Sequence, residues 1–291
     1  MKVLVTGSAG LIGSQVTKDL VDSGDTVYSG YHKAEPDVGI PTHIDLSDIN
    51  SINEIIKKTN PDSVIHLAAM TNVDLCEKEK ELAMKINAKA TEILAKQAAK
   101  NNSFFVYVST DYVFDGIEGM KKESDKPNPV DYYGRSKLEG EKSLMNLASS
   151  WCIARTSTPY GLHSSKTTFP IWVANKLSEN TEITVVTDQH TSPTYVPNLS
   201  RMLIEIARRQ FVGIFHVSGA TRISRYDMAE KLVDKLKLPK TLLLPSSIEK
   251  MDWIAKRPKD SSLDVSKALD ILKEKPLDVE QGLDSLVKQM N

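Results

Sequence analysis

The chain has 291 residues, 40% hydrophobic and 26% charged, which suits a globular protein with one large core and an appended lobe. Its 37 Lys and Arg against 38 Asp and Glu leave a net charge of -1, so charge gives no reason to expect nucleic acid or an anionic membrane surface as partner. Two cysteines, Cys76 and Cys152, are too few for a disulfide framework or a zinc centre, and no apolar run approaches the ~20 residues that span a bilayer.

The chain opens on Met1-Lys-Val-Leu-Val-Thr, read as a first strand with no signal peptide before it, so a cytoplasmic protein is expected. A helix follows from Leu11 to Ser23, stopped by Gly24, and then a strand over Thr26 to Gly30. A third strand is expected over Thr42 to Asp45, a helix from Ser47 to Lys58, and a buried strand from Ser63 to Ala69. One long helix is expected from Glu79 to Lys100, with Leu82, Ile86, Ala90, Ile93, Leu94 and Ala98 near helical period, and then a strand from Phe104 to Ser109. Near-continuous apolar strands alternating with amphipathic helices predict a parallel sheet covered on both faces. The second half is less regular. Strands are expected at Trp151–Arg155, Glu182–Val186 and Gly213–Val217, and helices at Phe169–Leu177, Asn198–Arg208, Arg225–Leu236 and Asp278–Met290.

Gly7, Gly10 and Gly13 form a G-x-x-G-x-x-G loop between the first strand and first helix, where backbone N–H groups can receive a dinucleotide pyrophosphate. An ordinary strand-to-helix turn is the competing explanation. The end of the second strand reads Ser29-Gly-Tyr-His-Lys33, with no carboxylate before Glu35. His32 and Lys33 are thus candidates for a 2′-phosphate, which favours NADPH and keeps NADH as an alternative. Asp45 is read either as an acceptor for the adenine amino group or as a turn residue, while Ala68 and Ala69 are small enough to let a cofactor lie against the backbone.

Tyr133 and Lys137 stand four apart after Pro127-Asn-Pro129, read as a helix stop and start, so on the helix that follows they share one face. A phenol titrates near ~10 and a neighbouring ammonium lowers that value, which makes the pair a tunable proton donor. Thr110 ends the fifth strand, where ligands of open α/β sheets bind, and is read as a donor to a substrate carbonyl oxygen; Ser109 competes for that role. His66 and His216 lie in apolar strands and are read as satisfied core histidines. Trp151, Trp172 and Trp253 are read as packing anchors. No metal site is expected.

Together these motifs resemble the extended short-chain dehydrogenase/reductase family. The resemblance runs through Ser109–Gly116, Pro129–Glu141, Arg155-Thr-Ser157, Tyr160-Gly161, Gln189–Thr194 and Arg257–Leu263. It departs at Thr156–Pro159, where the family more often has an aromatic residue, and at Thr168-Phe169 in place of Asn-Phe. What the resemblance implies is an α/β fold, a Rossmann-type doubly wound sheet with a smaller, interleaved C-terminal lobe. Residues 1–159 with a returning segment near 190–217 would bind the dinucleotide, and 160–189 with 218–291 the substrate. Thr110, Tyr133 and Lys137 would be the catalytic triad, and Gly7, Gly10, Leu11, Ile12, Asp45, Leu46, Ala68, Ala69 and Met70 would join Tyr133 and Lys137 at the cofactor. Val73, Asp111, Ser192, Pro193 and Thr194 would approach a sugar nucleotide. The expected activity is NAD(P)H-dependent reduction of the 4-keto group of a nucleotide-linked deoxysugar in carbohydrate biosynthesis, by a chain that can form a homodimer. The alternatives are a sugar-nucleotide epimerase or reductase for another keto-hexose, and a non-catalytic NADP-binding regulatory subunit.

Overall fold

Strand β1 (Lys2–Thr6) buries Val3 and Val5 on one face and Leu4 on the other, as a strand covered on both sides must. It is the centre of the computed structural model, which describes residues 1–147 and 150–290. The chain continues through α1 (Leu11–Asp22), β2 (Thr26–Tyr31), β3 (Ile40–His43), α2 (Ile49–Thr59) and β4 (Ser63–His66). Then come α3 (Val73–Lys78), α4 (Lys80–Met84), a π-helical turn Lys85–Lys89, α5 (Ala90–Lys100), β5 (Phe104–Thr110), α6 (Tyr132–Met145) and β6 (Trp151–Thr156). The second half adds β7 (Pro159–Tyr160), α7 (Phe169–Ser178), β8 (Ile183–Val186), β9 (His190–Thr191), β10 (Thr194–Tyr195), α8 (Val196–Arg209), β11 (Gly213–His216), β12 (Ile223–Ser224), α9 (Arg225–Leu236), β13 (Leu243–Ser246), α10 (Ser266–Ile271) and α11 (Val279–Met290).

Seven strands form one parallel sheet in the order β11-β6-β5-β4-β1-β2-β3. The strand order reverses between β1 and β4, the switch point where α/β sheets bind ligands. Val16 and Leu20 of α1 and Leu199, Met202 and Leu203 of α8 cover one face. Ile52 and Ile56 of α2 and Leu94 and Ala98 of α5 cover the other. A separate core gathers Val173 and Leu177 of α7, Val185 of β8, Leu232 of α9, Leu243 of β13 and Leu283 and Leu286 of α11.

Four local readings change. The third strand is Ile40–His43 rather than Thr42–Asp45, in parallel register with β2 from Tyr28 to Tyr31. The fourth ends at His66, so Ala68 and Ala69 lie in the loop beyond it. α6 starts at Tyr132 rather than at the prolines, because Asp131 caps it by accepting the Gly134 N–H at 2.8 Å. The expected long helix is broken by the π turn and preceded by an unexpected α3. The π turn directs Asn87 inward, where it accepts from Met70 N at 2.8 Å and donates to Met70 O and to Ser136 Oγ, both at 2.9 Å.

Candidate active site

Gly7 has φ 71° and accepts the Gly10 N–H at 2.9 Å. A Cβ on Gly13 would stand 2.1 Å from Gly7 O, and one on Gly7 would stand 2.9 Å from the Ala68 backbone. These three contacts bring loop, helix and β4 end together as only glycine allows. No side chain caps the start of α1 at Leu11, so the first N–H groups, Leu11 and Ile12 among them, remain for an anion. The loop therefore fits a dinucleotide pyrophosphate.

A cleft of about 440 Å³ runs beside this loop, lined by Ser8, Lys18, Glu35, Asp37 and His163 among others. His32 Nε2 sits 3.7 Å from Asp45 Oδ2. Asp45 Oδ1 accepts the Ser47 N–H at 2.7 Å, and that bond holds its carboxyl below the usual range. Asp45 thus braces its own turn with one oxygen while the other faces His32, Leu46 after it is buried, and Lys33 is exposed.

At the end of β5, the Thr110 hydroxyl lies 2.9 Å from Asp111 Oδ1 and accepts the Tyr112 N–H at 3.2 Å. Tyr133 stands on the first turn of α6, half-buried, its ring edge-on to Tyr112 at 6.0 Å. Burial raises the phenol well above its ordinary value, and the nearby Thr110 hydroxyl opposes this. Burial thus favours the protonated phenol. Lys137 is 2% exposed, with Nζ 2.8 Å from Val108 O and 4.0 Å above the Tyr107 ring. Burial pulls its amine down to about 7, against the field of Glu141.

Asp111 also accepts from Ser157 Oγ at 2.7 Å and Ser261 Oγ at 2.5 Å. The segment Ser192-Pro193-Thr194 is buried next to this cluster. Ser192 N donates to Ser157 Oγ at 3.2 Å and Thr194 Oγ1 to Ser157 O at 2.6 Å, so these residues brace the site from within. Val73 opens α3, and His66 and His216 are the expected core histidines, each engaged at both ring nitrogens.

A second cavity, about 350 Å³, opens between Tyr112, Phe169, Trp172, Arg225, Trp253 and Arg257. Trp172 and Trp253 line it rather than serving only as packing anchors. The Arg225 guanidinium lies 5.2 Å over Phe169 and makes no side-chain hydrogen bond among the described residues, while Arg257 bonds Asp74 at 3.0 Å and stacks over Trp253 at 5.3 Å. Two guanidiniums among aromatic faces suit an anionic ligand with a planar ring. The sequence reading missed Arg225 altogether; Arg257 stood in a quoted motif without a role.

A doubly wound sheet with a glycine loop at its switch point and a Tyr-x-x-x-Lys helix after the fifth strand defines an extended short-chain dehydrogenase/reductase. Within that class the chain belongs to the RmlD substrate binding domain family, whose profile matches residues 1–291. Among its relatives is the Haloferax volcanii protein named "Probable low-salt glycan biosynthesis reductase Agl14", 35% identical over 271 residues, 91% of this chain and 90% of that one. A dTDP-4-dehydrorhamnose reductase of Aggregatibacter actinomycetemcomitans is 33% identical over 98% of both chains. The methionine adenosyltransferase 2 subunit beta of Danio rerio is 32% identical over 91% of this chain and 81% of its own. The crystal structure of a dTDP-4-dehydrorhamnose reductase from Bacillus anthracis in complex with NADP superposes with TM-score 0.89 at 30% identity over 99% of both chains. No described helix is long and apolar enough to cross a membrane.

Proposed function

We propose that this chain is an NAD(P)H-dependent oxidoreductase that reduces the 4-keto group of a nucleotide-linked deoxysugar, with dTDP-4-dehydrorhamnose as its substrate, in the biosynthesis of dTDP-rhamnose or a related sugar. One observation carries the reading: Tyr133 on the first turn of α6 stands edge-on at 6.0 Å to Tyr112, which lines the cavity that presents two arginines among aromatic rings, in a chain whose glycine loop is shaped for a dinucleotide. In this reading residues 1–159 and about 190–217 hold the dinucleotide, and 160–189 with 218–291 hold the sugar nucleotide.

The bound nicotinamide supplies hydride. The chain's own work is to place and protonate. The N–H groups at the start of α1 fix the diphosphate of the cofactor, and Ala68, Ala69 and Met70 form the wall beside it. Tyr133 gives its proton to the oxygen of the former carbonyl as charge grows there. General acid catalysis of this kind is worth typically about 10²–10⁴-fold. Lys137 steadies the phenolate left behind and holds ribose hydroxyls, and Thr110 orients the phenol. Arg225 and Arg257 receive the substrate diphosphate, and Phe169, Trp172 and Trp253 its base. Cys76 and Cys152 are both unpaired and buried, which supports a reducing, cytoplasmic setting.

The likeness to a methionine adenosyltransferase subunit favours a second reading, an NADP-binding subunit without turnover. An intact Thr110, Tyr133 and Lys137 weighs against it. NADPH consumption with dTDP-, UDP- and GDP-linked 4-keto sugars separates the two: turnover with the dTDP sugar supports the reductase, and none with any sugar supports the subunit.

A further inference from the structure

One helical turn beyond Lys137 lies a buried ion pair that the mechanism above leaves unused. Glu141 is 0% and Arg155 1% exposed, and Arg155 grips the carboxylate with two bonds, Nε to Oε1 at 2.9 Å and Nη2 to Oε2 at 2.6 Å. Ser109 Oγ donates to Oε1 at 2.5 Å, and Arg155 Nη1 reaches His216 Nε2 at 3.4 Å. The pair therefore joins α6 to three strands, β5, β6 and β11.

Stability alone does not account for it. Burying two charges costs much of what their attraction returns, and an apolar pair of like volume often does as well. Its neighbours are more telling. Ser109 directly precedes Thr110, and Arg155 stands two residues before Ser157, which bonds Asp111. Lys137 and Glu141, four apart, share the buried face of α6. The ammonium of Lys137 has a carbonyl and an aromatic ring as neighbours and forms no ion pair with a carboxylate among the described residues.

We propose that Glu141 is a positioning residue for the Tyr133–Lys137 pair: its carboxylate, fixed by Arg155 and Ser109, is the counter-charge that keeps Lys137 an ammonium on the reacting face. This rests on the reductase reading only for its kinetic consequence. The groups that face Lys137 are Tyr133 and Glu141 from α6, Tyr107 from β5, His66 from β4 and, behind Glu141, Arg155 from β6 and His216 from β11. Both histidines are held neutral by burial, down to about 3, and Tyr107 is pushed far up, so Glu141 supplies the negative charge of this cluster.

The test pairs Glu141→Gln with Arg155→Met, which removes both charges together and avoids a stranded guanidinium. Side-chain ¹⁵N NMR of Lys137 and the pH profile of kcat are read in both proteins. The paired variant is expected to titrate Lys137 about one pH unit lower or more, with the alkaline limb of kcat moving down alike. Glu141→Asp, which keeps the charge, is expected to keep the wild-type limb. An unmoved Lys137 titration in the folded paired variant overturns the proposal, as does a Glu141→Asp limb displaced equally far. The NMR needs no substrate, so a chain without reductase activity still decides the point. If the paired variant does not fold, Glu141→Gln with Arg155→Gln, which keeps a hydrogen bond across the same gap, is read in the same way: a Lys137 titration lowered alike supports the proposal, and an unmoved one overturns it.

Discussion

Thr110 and Asp111, adjacent in the chain, are joined side chain to side chain, the hydroxyl donating to Oδ1 at 2.9 Å. Asp111 takes two further hydroxyl donors, Ser157 and Ser261, and is buried. A hydroxyl has one proton. While Thr110 gives that proton to Asp111, its oxygen serves as an acceptor beside Tyr133, and it donates to a substrate only by turning away from the carboxylate.

Thr110→Val keeps the shape and deletes the hydroxyl. Turnover of NADPH with the 4-keto sugar nucleotide is expected to fall on the order of 10²-fold, the scale of losing one oriented hydrogen-bonding group at the reacting centre. Thr110→Ser should retain most of it. Equal rates in all three proteins would remove Thr110 from the mechanism.

Tyr133→Phe is expected to bind NADPH as the wild type does, measured by fluorescence titration, and to lose at least about two orders of magnitude in kcat. Undiminished turnover in this variant would leave the proposed acid without a role.

Arg225→Leu removes a guanidinium from the aromatic cavity and leaves the glycine loop untouched. Affinity for dTDP, read by calorimetry, should weaken about 10- to 100-fold, as expected for lost hydrogen bonds to a charged group at about 1.5–3 kcal/mol. NADPH affinity should not change. If dTDP binds the variant as tightly as the wild type, the diphosphate lies elsewhere.

Asp131 is 2% exposed, and its Oδ2 has no hydrogen-bond partner among the described residues. Burial raises its carboxyl from 3.8 to about 6, against the Gly134 N–H that it caps. The folded chain thus binds this proton more tightly than the unfolded one, so stability falls as pH rises from about 4 to about 6 and stays reduced above. The penalty is on the order of 2–3 kcal/mol. Asn caps a helix about as well as Asp, so Asp131→Asn should raise Tm at pH 8 and do little at pH 4. Thermal melts at the two pH values check this; an equal change at both would assign the effect to packing.

The sheet was legible in the sequence because each strand is an apolar run bounded by turn residues, and the Tyr133–Lys137 pair because four-residue spacing has one meaning on a helix. The glycine loop was legible for the same local reason. What escaped was set by distant contacts. The π turn at Lys85–Lys89 exists because Asn87 must reach Met70 and Ser136, which no helical periodicity records. The hydroxyls of Ser192 and Thr194 bond Leu263, Ser157 and Gly219 inside the protein, partners that no local motif records. Arg225 gave no signal, since one arginine opening an amphipathic helix is indistinguishable from a solvated one until Phe169 is seen beneath it.

One edge strand, β11, is made late: Gly213–His216 pairs in parallel with β6, and β7, α7, β8, β9, β10 and α8 lie between them in the chain. A nascent polypeptide released from the ribosome before Gly213 would present the flank of β6 as a row of unpaired amides and carbonyls, with Cys152 and Ala154 uncovered by Phe215 and Val217. Such a fragment invites strand addition by a second copy. Premature stops in this stretch should thus yield inclusion bodies instead of a smaller working enzyme.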